Sequence, residues 1–461
     1  MSLPVRYDAI VIGTGQAGPS LAARLAKDGR RTAVLERSRF GGTCVNTGCI
    51  PTKTLVASAR AIHVARRGDE FGFTTSGDVR VDMARVKARK DAVVRQSTEG
   101  VERLMKETAN VTVYEGHGRF TGPHSVEVNG HVLEADQIFI NVGARAVVPD
   151  MPGIENVPFL TNTGILELDI VPEHLMVIGG SYIGLEFAQM FRRFGSRVTV
   201  VEKGPRLIAR EDEDVSATLQ EILEREGVAI RPNATCIGLS RAPLGISVGV
   251  DCAEETPAID GTHVLLAVGR RPNTDDLGLE AAGIATDERG RITVDEQCRT
   301  NVPGVWALGE CNGRGAFTHT SYNDFEIVAG NLLDDVPRRL SDRIPCYALY
   351  TDPPVGRAGM TTREARASGR RVLVGHRPMT KVSRAREMSE TDGFMRALVD
   401  ADSHEILGAV IFGVGGDEVV HSLLDVMYAQ VPYTTISRAV HIHPTISELI
   451  PTMLQDLRPL D

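Results

Sequence analysis

The sequence predicts an α/β fold built from two βαβ units, followed by a C-terminal part in which strands and helices alternate. The first observation is an apolar strand, Tyr7 to Ile12, that runs into a glycine-rich turn, a helix and a second strand. The second observation is the same order of elements from His174 onward. The third is a change of composition near Ile344. A chain of 461 residues is long enough to bury the cores of several such domains.

The first βαβ unit has the pattern of a Rossmann-like dinucleotide site. Gly13, Gly15 and Gly18 form a GxGxxG turn between strand and helix, and Glu36 ends the second strand. The glycines permit a tight turn, the approach of a pyrophosphate and close packing of helix on strand. The acid can accept hydrogen bonds from a ribose diol. We therefore predict that a dinucleotide binds at this turn.

Two cysteines, Cys44 and Cys49, lie five residues apart directly after this unit. That is about one and a half helical turns, close enough for a disulfide if the turn is distorted. A helix beginning near Cys44 would direct its positive end at the sulfurs, and Lys53 adds positive charge, so a thiolate is favoured. From these residues alone, a redox-active disulfide, a structural disulfide and a metal site remain open. The other five cysteines occur singly, and we expect them to be small buried or half-buried residues.

The second βαβ unit predicts a second dinucleotide. Its turn places Ser181 where the fingerprint has its middle glycine, which leaves less room for a pyrophosphate. The next strand ends at Glu202, whose charge favours the free ribose diol of NAD and repels a 2′-phosphate. We expect NADH as the donor, with NADPH possible because basic residues lie close by in sequence, namely Lys203, Arg206 and Arg210. The predicted NAD site comprises Gly179, Gly180, Ser181, Gly184, Glu202 and Gly269.

Composition and charge limit the partners that we expect. The net charge is −9 and no block of like charge is long, so no nucleic acid partner is indicated. No apolar run reaches the length of a membrane span, so no membrane partner is indicated either. The chain begins almost directly with a strand, without a leader pattern, and we expect a cytoplasmic protein.

The run from Gly41 to Lys53 resembles the redox-active signature of the class I pyridine nucleotide–disulfide oxidoreductases. That family includes dihydrolipoamide dehydrogenase, glutathione reductase and mercuric reductase. The resemblance covers nearly the whole chain, and it implies FAD in the first site and a C-terminal homodimer interface with active sites shared between subunits. It implies an FAD-binding domain in two parts, an NAD(P)-binding domain and a dimerisation domain. The expected ranges are 1–148 and 270–343 for FAD, 149–269 for NAD(P) and 344–461 for dimerisation.

The resemblance also implies roles for single residues. Cys49 is expected to be the thiolate that faces the flavin, and Cys44 the sulfur that exchanges with a substrate. Lys53 is expected to pair with Glu186 near the flavin. His443, oriented by Glu448, is expected to be the acid–base catalyst at the disulfide of the other subunit. The catalytic residues expected are therefore Cys44, Cys49, Lys53, Glu186, His443 and Glu448.

The expected FAD site includes one departure from the family. Glu310 stands where the family usually has an aspartate that holds the ribityl chain, so its longer side chain must fold back or displace the flavin slightly. A helix beginning near Thr318 and His319 would direct its N-terminus at the flavin and stabilise the anionic reduced form. The residues expected at FAD are Gly13, Gly15, Gly18, Glu36, Lys53, Gly143, Glu310, Thr318 and His319.

The expected reaction carries electrons from NADH through flavin to the Cys44–Cys49 disulfide and on to a disulfide, metal-ion or oxidant acceptor, as in mercuric reductase-like flavoproteins. The end of the chain, Leu454 to Asp461, has no paired cysteines, so mercury delivery as in true mercuric reductases is not expected. We predict no resident metal site. Dihydrolipoamide dehydrogenase is the alternative. A non-catalytic flavoprotein subunit of a complex is the second alternative, and the intact set of catalytic residues argues against it.

Overall fold

A computed structural model describes residues 3–243, 245–250 and 258–460. The chain divides into two compact units. The first comprises Met1–Thr54, Lys87–Val147 and Gly269–Arg343. The second comprises Leu55–Val86, Val148–Val268 and Ile344–Asp461. The four domain ranges given above stay a prediction.

The strands lie mostly where apolar runs predict them. In chain order they are β1 (Val5–Ile12), β2 (Thr32–Glu36), β3 (Val111–Glu115), β4 (Arg119–Gly122), β5 (Ser125–Val128), β6 (His131–Ile140), β7 (Ala144–Ala146), β8 (His174–Ile178), β9 (Arg197–Val201), β10 (Val228–Arg231), β11 (Gly238–Ala242), β12 (Gly245–Gly249), β13 (Ile259–Gly261), β14 (His263–Leu266), β15 (Arg270–Pro272), β16 (Val305–Ala307), β17 (Cys346–Leu349), β18 (Val355–Gly359), β19 (Val372–Pro378), β20 (Phe394–Asp400), β21 (Ile406–Phe412) and β22 (Arg458–Pro459).

The α-helices follow the glycine-rich turns and fill the connections between strands. In chain order they are α1 (Ala17–Lys27), α2 (Gly42–Asn46), α3 (Cys49–Arg66), α4 (Met83–Glu107), α5 (Asn162–Ile165), α6 (Tyr182–Phe194), α7 (Glu213–Arg225), α8 (Thr318–Leu333), α9 (Thr362–Ala367), α10 (Ser383–Glu387), α11 (Gly416–Val419), α12 (His421–Tyr428), α13 (Thr434–Ser437) and α14 (Leu449–Gln455). Short 3-10 turns add to them, among them Gly309–Asn312. Among the described residues, no helix combines the length and the apolar character needed to cross a membrane.

The main sheet of the first unit has the strand order β3-β2-β1-β6-β5-β4, and β16 pairs with β6. Strands β3, β2, β1, β6 and β16 run parallel. Their carboxyl ends therefore meet at one edge of the sheet, which is where an open α/β sheet binds ligands. Four predicted FAD residues follow strands at this edge: Gly13, Glu36, Gly143 and Glu310.

The second unit contains a parallel sheet of order β10-β9-β8-β14 and an antiparallel sheet of order β17-β18-β21-β20-β19-β22. Strands β8 and β21 are buried along their whole lengths, which explains why β21, and β8 after His174, do not alternate between apolar and polar residues. The carboxyl ends of β8 and β9 carry the second glycine-rich turn and Glu202. The predicted α/β class with a C-terminal α+β part is thus confirmed.

Candidate active site

The first glycine-rich turn lies between β1 and α1, and its geometry demands glycine. Gly13 has a φ of +101°, and a Cβ there would lie 2.5 Å from the carbonyl oxygen of Asn141. Glu36 is buried, and its Oε2 accepts hydrogen bonds from Thr14 N at 3.0 Å and Thr14 Oγ1 at 2.5 Å. Its Oε1 accepts one from Ser38 N at 2.9 Å, which leaves lone pairs on that oxygen for a further donor. The turn and the acid therefore form one rigid cradle.

Asn141 follows β6 at the same edge and was not predicted from the sequence. Its Nδ2 is buried and has no hydrogen-bond partner among the described residues. A Cβ on Gly15 would lie 3.2 Å from this nitrogen. Because buried polar atoms nearly always have partners, a polar ligand group at the glycine turn is the natural acceptor. The unpartnered Asn141 nitrogen therefore supports dinucleotide binding at this cradle, and it does so independently of any sequence pattern.

Glu310 pairs with a basic side chain, and its expected effect on the flavin stays a prediction. Its two carboxylate oxygens accept hydrogen bonds from Arg270 Nε at 2.9 and 3.0 Å. Arg270 also donates from Nη2 to the carbonyl oxygen of Ala144 at 2.5 Å, so the guanidinium joins β15 to β7. Both side chains are mostly buried. Arg270 thus fixes the longer acid in one place, a partnership that the sequence analysis missed.

Asp324 on α8 holds the turn that carries Glu310. Its carboxylate is almost completely buried, and its Oδ2 accepts hydrogen bonds from Gly309 N at 2.7 Å and Asn312 Nδ2 at 3.0 Å. Its Oδ1 accepts one from Arg343 Nη2 at 2.5 Å. No sequence pattern predicted a role for Asp324. An acidic residue within the partly apolar helix α8 is the one feature of the sequence that could have indicated it.

We expect Asp324→Asn to lower the free energy of unfolding of the first unit by about 3 kcal/mol, because it leaves the buried Arg343 without its counter-ion. The same change loosens the Gly309–Asn312 turn, so bound FAD should fall as well. Thermal unfolding followed by flavin release measures both effects. Asp335→Asn is the matched control, since Asp335 is exposed. An Asp324→Asn protein with the melting temperature and FAD content of the control would contradict this assignment.

Cys44 and Cys49 lie on either side of a break between two helices. Cys44 is inside the single turn of α2, whereas Cys49 is the first residue of the long helix α3. Gly48 occupies the break, and a Cβ there would lie 2.8 Å from the carbonyl oxygen of Thr43 and 3.3 Å from Cys44 Cα. The expected helix near Cys44 is present as α2, which begins at Gly42. A second and longer helix, α3, begins at Cys49 itself.

The two cysteines are thiols in this structure, with Cys44 half-buried and Cys49 exposed. The pKa of Cys44 is raised well above its ordinary value, first by its hydrogen bond with Cys49 and then by burial. The general expectation of a favoured thiolate is thus wrong for Cys44. At Cys44 the thiol form is therefore favoured, and the expected division of roles between the two sulfurs stays a prediction.

Thr318 begins α8, as the sequence predicted for this helix, and its side chain turns to the cysteine pair. Its Oγ1 lies 3.1 Å from Cys49 Sγ. The next residue, His319, stacks its ring on Phe317, with centroids 5.4 Å apart and planes 7° from parallel. Within the first unit, the N-termini of α3 and α8 therefore meet at the Cys49 sulfur.

Other predicted catalytic residues are placed in the second unit. Glu186 on α6 is buried, and one of its oxygens accepts a hydrogen bond from Tyr350 N at 3.0 Å. Lys53 belongs to the first unit, and its pairing with Glu186 stays a prediction. His443 Nδ1 lies 2.8 Å from Glu448 Oε2, so the contact that an oriented base needs is present. The His443 side chain is 73% exposed, whereas that of Glu448 is 14% exposed.

At the second glycine-rich turn, Ser181 is the residue that precedes α6. Glu202 accepts hydrogen bonds from Gly180 N and Gly204 N, each at 2.6 Å, so its carboxylate is held at the end of β9. Arg206 donates instead to the carbonyl oxygens of Ala209 at 3.1 Å and Glu211 at 3.3 Å. The remaining predicted residues of this site, Gly179, Gly184 and Gly269, lie at the ends of β8 and β14 or in the first turn of α6.

The five other cysteines are only partly as expected. Cys298 and Cys311 are buried, and Cys346 is half-buried. Cys236, which was expected to occur singly, is half-buried and takes part in a disulfide bond. Cys252 lies outside the described residues. Among the described residues, no group of His, Cys, Asp and Glu has the geometry of a metal site.

Comparison with known families defines the class of protein. The family model "Pyridine nucleotide-disulphide oxidoreductase" matches residues 7–324, and the dimerisation domain of the same family matches residues 346–454. The chain therefore belongs to the pyridine nucleotide-disulphide oxidoreductases. It is a flavoenzyme that uses FAD and a nicotinamide nucleotide, and its dimerisation domain indicates a homodimer.

Individual relatives cover almost all of both chains. The probable pyridine nucleotide-disulfide oxidoreductase RclA of Escherichia coli K12 is 37% identical over 452 residues, which are 96% of this chain and 97% of RclA. A dihydrolipoyl dehydrogenase of Cupriavidus necator is 34% identical, with 96% of each chain covered. The solved structure of the HOCl-induced flavoprotein disulfide reductase RclA from Escherichia coli superposes with a TM-score of 0.89 at 36% identity, and covers 98% of this chain and 100% of that one. Its Cu(II) complex matches equally well, with a TM-score of 0.89.

Proposed function

We propose that this protein is an NADH-dependent flavoprotein reductase that loads two electrons onto Cys44 and Cys49 and passes them to a metal-ion, oxidant or disulfide acceptor. One observation carries the proposal: two helix N-termini and the Thr318 hydroxyl meet at Cys49, close in sequence to the half-buried thiol of Cys44. An ordinary structural cysteine pair has no need of such an arrangement. A non-catalytic subunit would have no need of it either.

The electron balance assigns a task to each residue. FAD, when bound, supplies a two-electron carrier between the nicotinamide and a disulfide. Cleavage of the Cys44–Cys49 bond by two electrons and one proton leaves a thiolate at Cys49 and a thiol at Cys44. Cys44 must then lose its proton to attack a substrate disulfide, because the thiolate is the nucleophile. We assign that proton to His443 of the partner subunit, with Glu448 as its orienting acid.

A metal ion or an oxidant is the acceptor that we place first. The relative RclA is described as HOCl-induced, and it has been solved as a Cu(II) complex. Two Cu(II) ions would each take one electron, and Cys44 and Cys49 would return to the disulfide. Dihydrolipoamide dehydrogenase is the alternative, supported by relatives of that name at 34% identity or less. The likeness to mercuric reductase stays a prediction.

A side-by-side comparison of acceptors tests the proposal. The FAD-loaded protein, reduced with NADH, is offered lipoamide, glutathione disulfide, Hg(II), Cu(II) and oxygen at matched concentrations. We expect the highest kcat/KM with a metal ion or an oxidant. Strong lipoamide turnover would move the dehydrogenase to first place. Failure of NADH and NADPH alike to reduce the flavin would overturn both enzymes in favour of the non-catalytic subunit.

We also propose NADH as the preferred donor and the cytoplasm as the location. The Glu202 carboxylate stands at the end of β9, where a 2′-phosphate would meet a negative charge. Arg206 donates from Nη2 to two carbonyl oxygens, and its Nη1 lies 3.4 Å from Glu213 Oε1. The cytoplasm is a reducing compartment, which suits thiols at Cys44 and Cys49 that exchange with disulfides. Cell fractionation tests the proposed location.

We expect Glu202→Ala to shift kcat/KM toward NADPH by about tenfold or more relative to NADH, because like-charge repulsion and the ribose hydrogen bonds are both removed. Steady-state reduction of a common acceptor with each nucleotide measures the ratio. Glu221→Ala is the control, since Glu221 is exposed on α7. An unchanged ratio would contradict the role of Glu202, and a wild-type preference for NADPH would contradict the proposed donor.

A further inference from the structure

Thr318 is placed to do more than begin a helix near the flavin. Its hydroxyl oxygen lies 3.1 Å from Cys49 Sγ, within hydrogen-bonding range for sulfur. Thr318 also acts to lower the pKa of Cys44, against the rise that Cys49 and burial cause. Thr318 therefore influences both sulfurs of the pair.

The surroundings of Thr318 hold this hydroxyl in position. Thr320 Oγ1 accepts a hydrogen bond from Phe317 N at 3.1 Å and donates to Phe317 O at 2.7 Å, so the entry to α8 is closed by a neighbouring side chain. His319 is stacked on Phe317. Thr318, which lies between these two residues, directs its hydroxyl at Cys49. Its Cα lies on a helix of 16 residues, which fixes its distance from the sulfurs.

We infer that Thr318 is the positioning residue of the dithiol: its hydroxyl donates a hydrogen bond to Cys49 when that sulfur is a thiolate and so sets how easily the pair ionises. A thiolate has no proton, so the hydroxyl must be the donor in that state. When Cys44 ionises to attack a substrate, the same hydroxyl can turn to its sulfur. The inference rests on the proposed function, because it concerns the sulfurs that the reaction uses.

The side chain explains why threonine suits this place. A hydrogen bond to a charged group is stronger than one between neutral groups, and here it is added to the N-terminal dipoles of α3 and α8. Serine keeps the donor but loses the branched methyl group that restricts χ1. Valine keeps the shape and loses the donor. The two replacements therefore separate hydrogen bonding from packing.

The test uses the FAD-loaded protein reduced by one equivalent of NADH, and follows the long-wavelength band of a thiolate beside oxidised flavin against pH. In Thr318→Val we expect the midpoint of this titration to move up by about one pH unit or more, because the thiolate loses a charge-assisted hydrogen bond. In Thr318→Ser we expect a midpoint close to that of the wild type. FAD content and melting temperature show whether each variant is folded and loaded.

The outcomes are distinguishable. An equal midpoint in wild type and Thr318→Val, with FAD content preserved, overturns the inference and leaves the proposed function standing. A wild-type protein that shows no such band at any pH overturns the proposed function itself. If Thr318→Val fails to bind FAD, Thr318→Ala and Thr318→Ser are compared instead. Equal titration midpoints of the long-wavelength band in these two variants would overturn the inference.

Discussion

Cys44→Ser is expected to leave reduction of the flavin by NADH intact and to abolish turnover of disulfide acceptors. The hydride reaches the flavin without passing through either sulfur, whereas every exchange with a substrate disulfide needs the Cys44 thiolate. The two sulfurs have different surroundings, because Cys49 and burial raise the pKa of Cys44, whereas Cys49 Sγ lies 3.1 Å from Thr318 Oγ1. Cys49→Ser should also abolish disulfide turnover, and it should in addition remove the long-wavelength thiolate band that Cys44→Ser retains.

Stopped-flow absorbance measures the first half of the reaction, and NADH consumption with each acceptor measures the whole. Cys346→Ser is the control for loss of a thiol elsewhere, since Cys346 is half-buried in the second unit. Full disulfide turnover by Cys44→Ser would disprove the proposed scheme. Turnover of Cu(II) or oxygen that survives in Cys44→Ser would show that these acceptors take electrons from the flavin rather than from the dithiol.

His443→Gln is expected to lower disulfide turnover by about 100-fold or more, the range of a lost general acid–base catalyst. The raised pKa of Cys44 explains why a base is needed: near neutral pH this thiol stays protonated unless a neighbour takes its proton. In alkaline solution the Cys44 thiol ionises without a base. The activity of His443→Gln should therefore rise with pH more steeply than that of the wild type. Reduction of the flavin by NADH should be unchanged.

The neighbouring residues provide matched controls. His441→Gln changes a histidine whose Nδ1 lies 3.2 Å from the Ala439 carbonyl oxygen, and we expect a small effect. Glu448→Gln keeps the size of the acid that contacts His443, and it should give an intermediate loss because the imidazole is less firmly oriented. If His443→Gln and His441→Gln behave alike, the role of His443 is disproved. Mixed dimers of Cys44→Ser and His443→Gln chains test the shared site, because only the dimer that contains both variants keeps one intact set.

Local sequence was sufficient wherever a short stretch of chain sets its own structure. The glycine turns at Gly13 and Gly179 form because their positive φ angles, +101° and +113°, are open to glycine and costly for other residues. Strands β8 and β21 follow from unbroken apolar runs that only a sheet covered on both faces can bury. His443 and Glu448 are only five residues apart, so their contact could also be predicted from a short stretch of sequence.

Contacts between residues that are far apart in the sequence could not be predicted from local patterns. Arg270 meets Glu310, and Asp324 meets Arg343, because strands and helices that are separate in sequence end at one edge of the sheet. Asn141 could be recognised as an orphaned donor only once its burial was known. The break between α2 and α3 was not predicted, and it falls at Gly48, where a side chain would collide with Thr43.

The sequence by itself therefore determined the class of protein and its two nucleotide turns, since both depend on residue types at fixed local spacing, and it predicted Cys44 and Cys49 as the reactive sulfurs. Only the tertiary structure gave the surroundings of each sulfur. The pKa of Cys44 is raised by its hydrogen bond with Cys49 and by burial, and the Cys49 sulfur lies 3.1 Å from the hydroxyl of Thr318, 269 residues further along the chain. Ionisation of a thiol depends on the charges, donors and solvent around it, and folding brings these together.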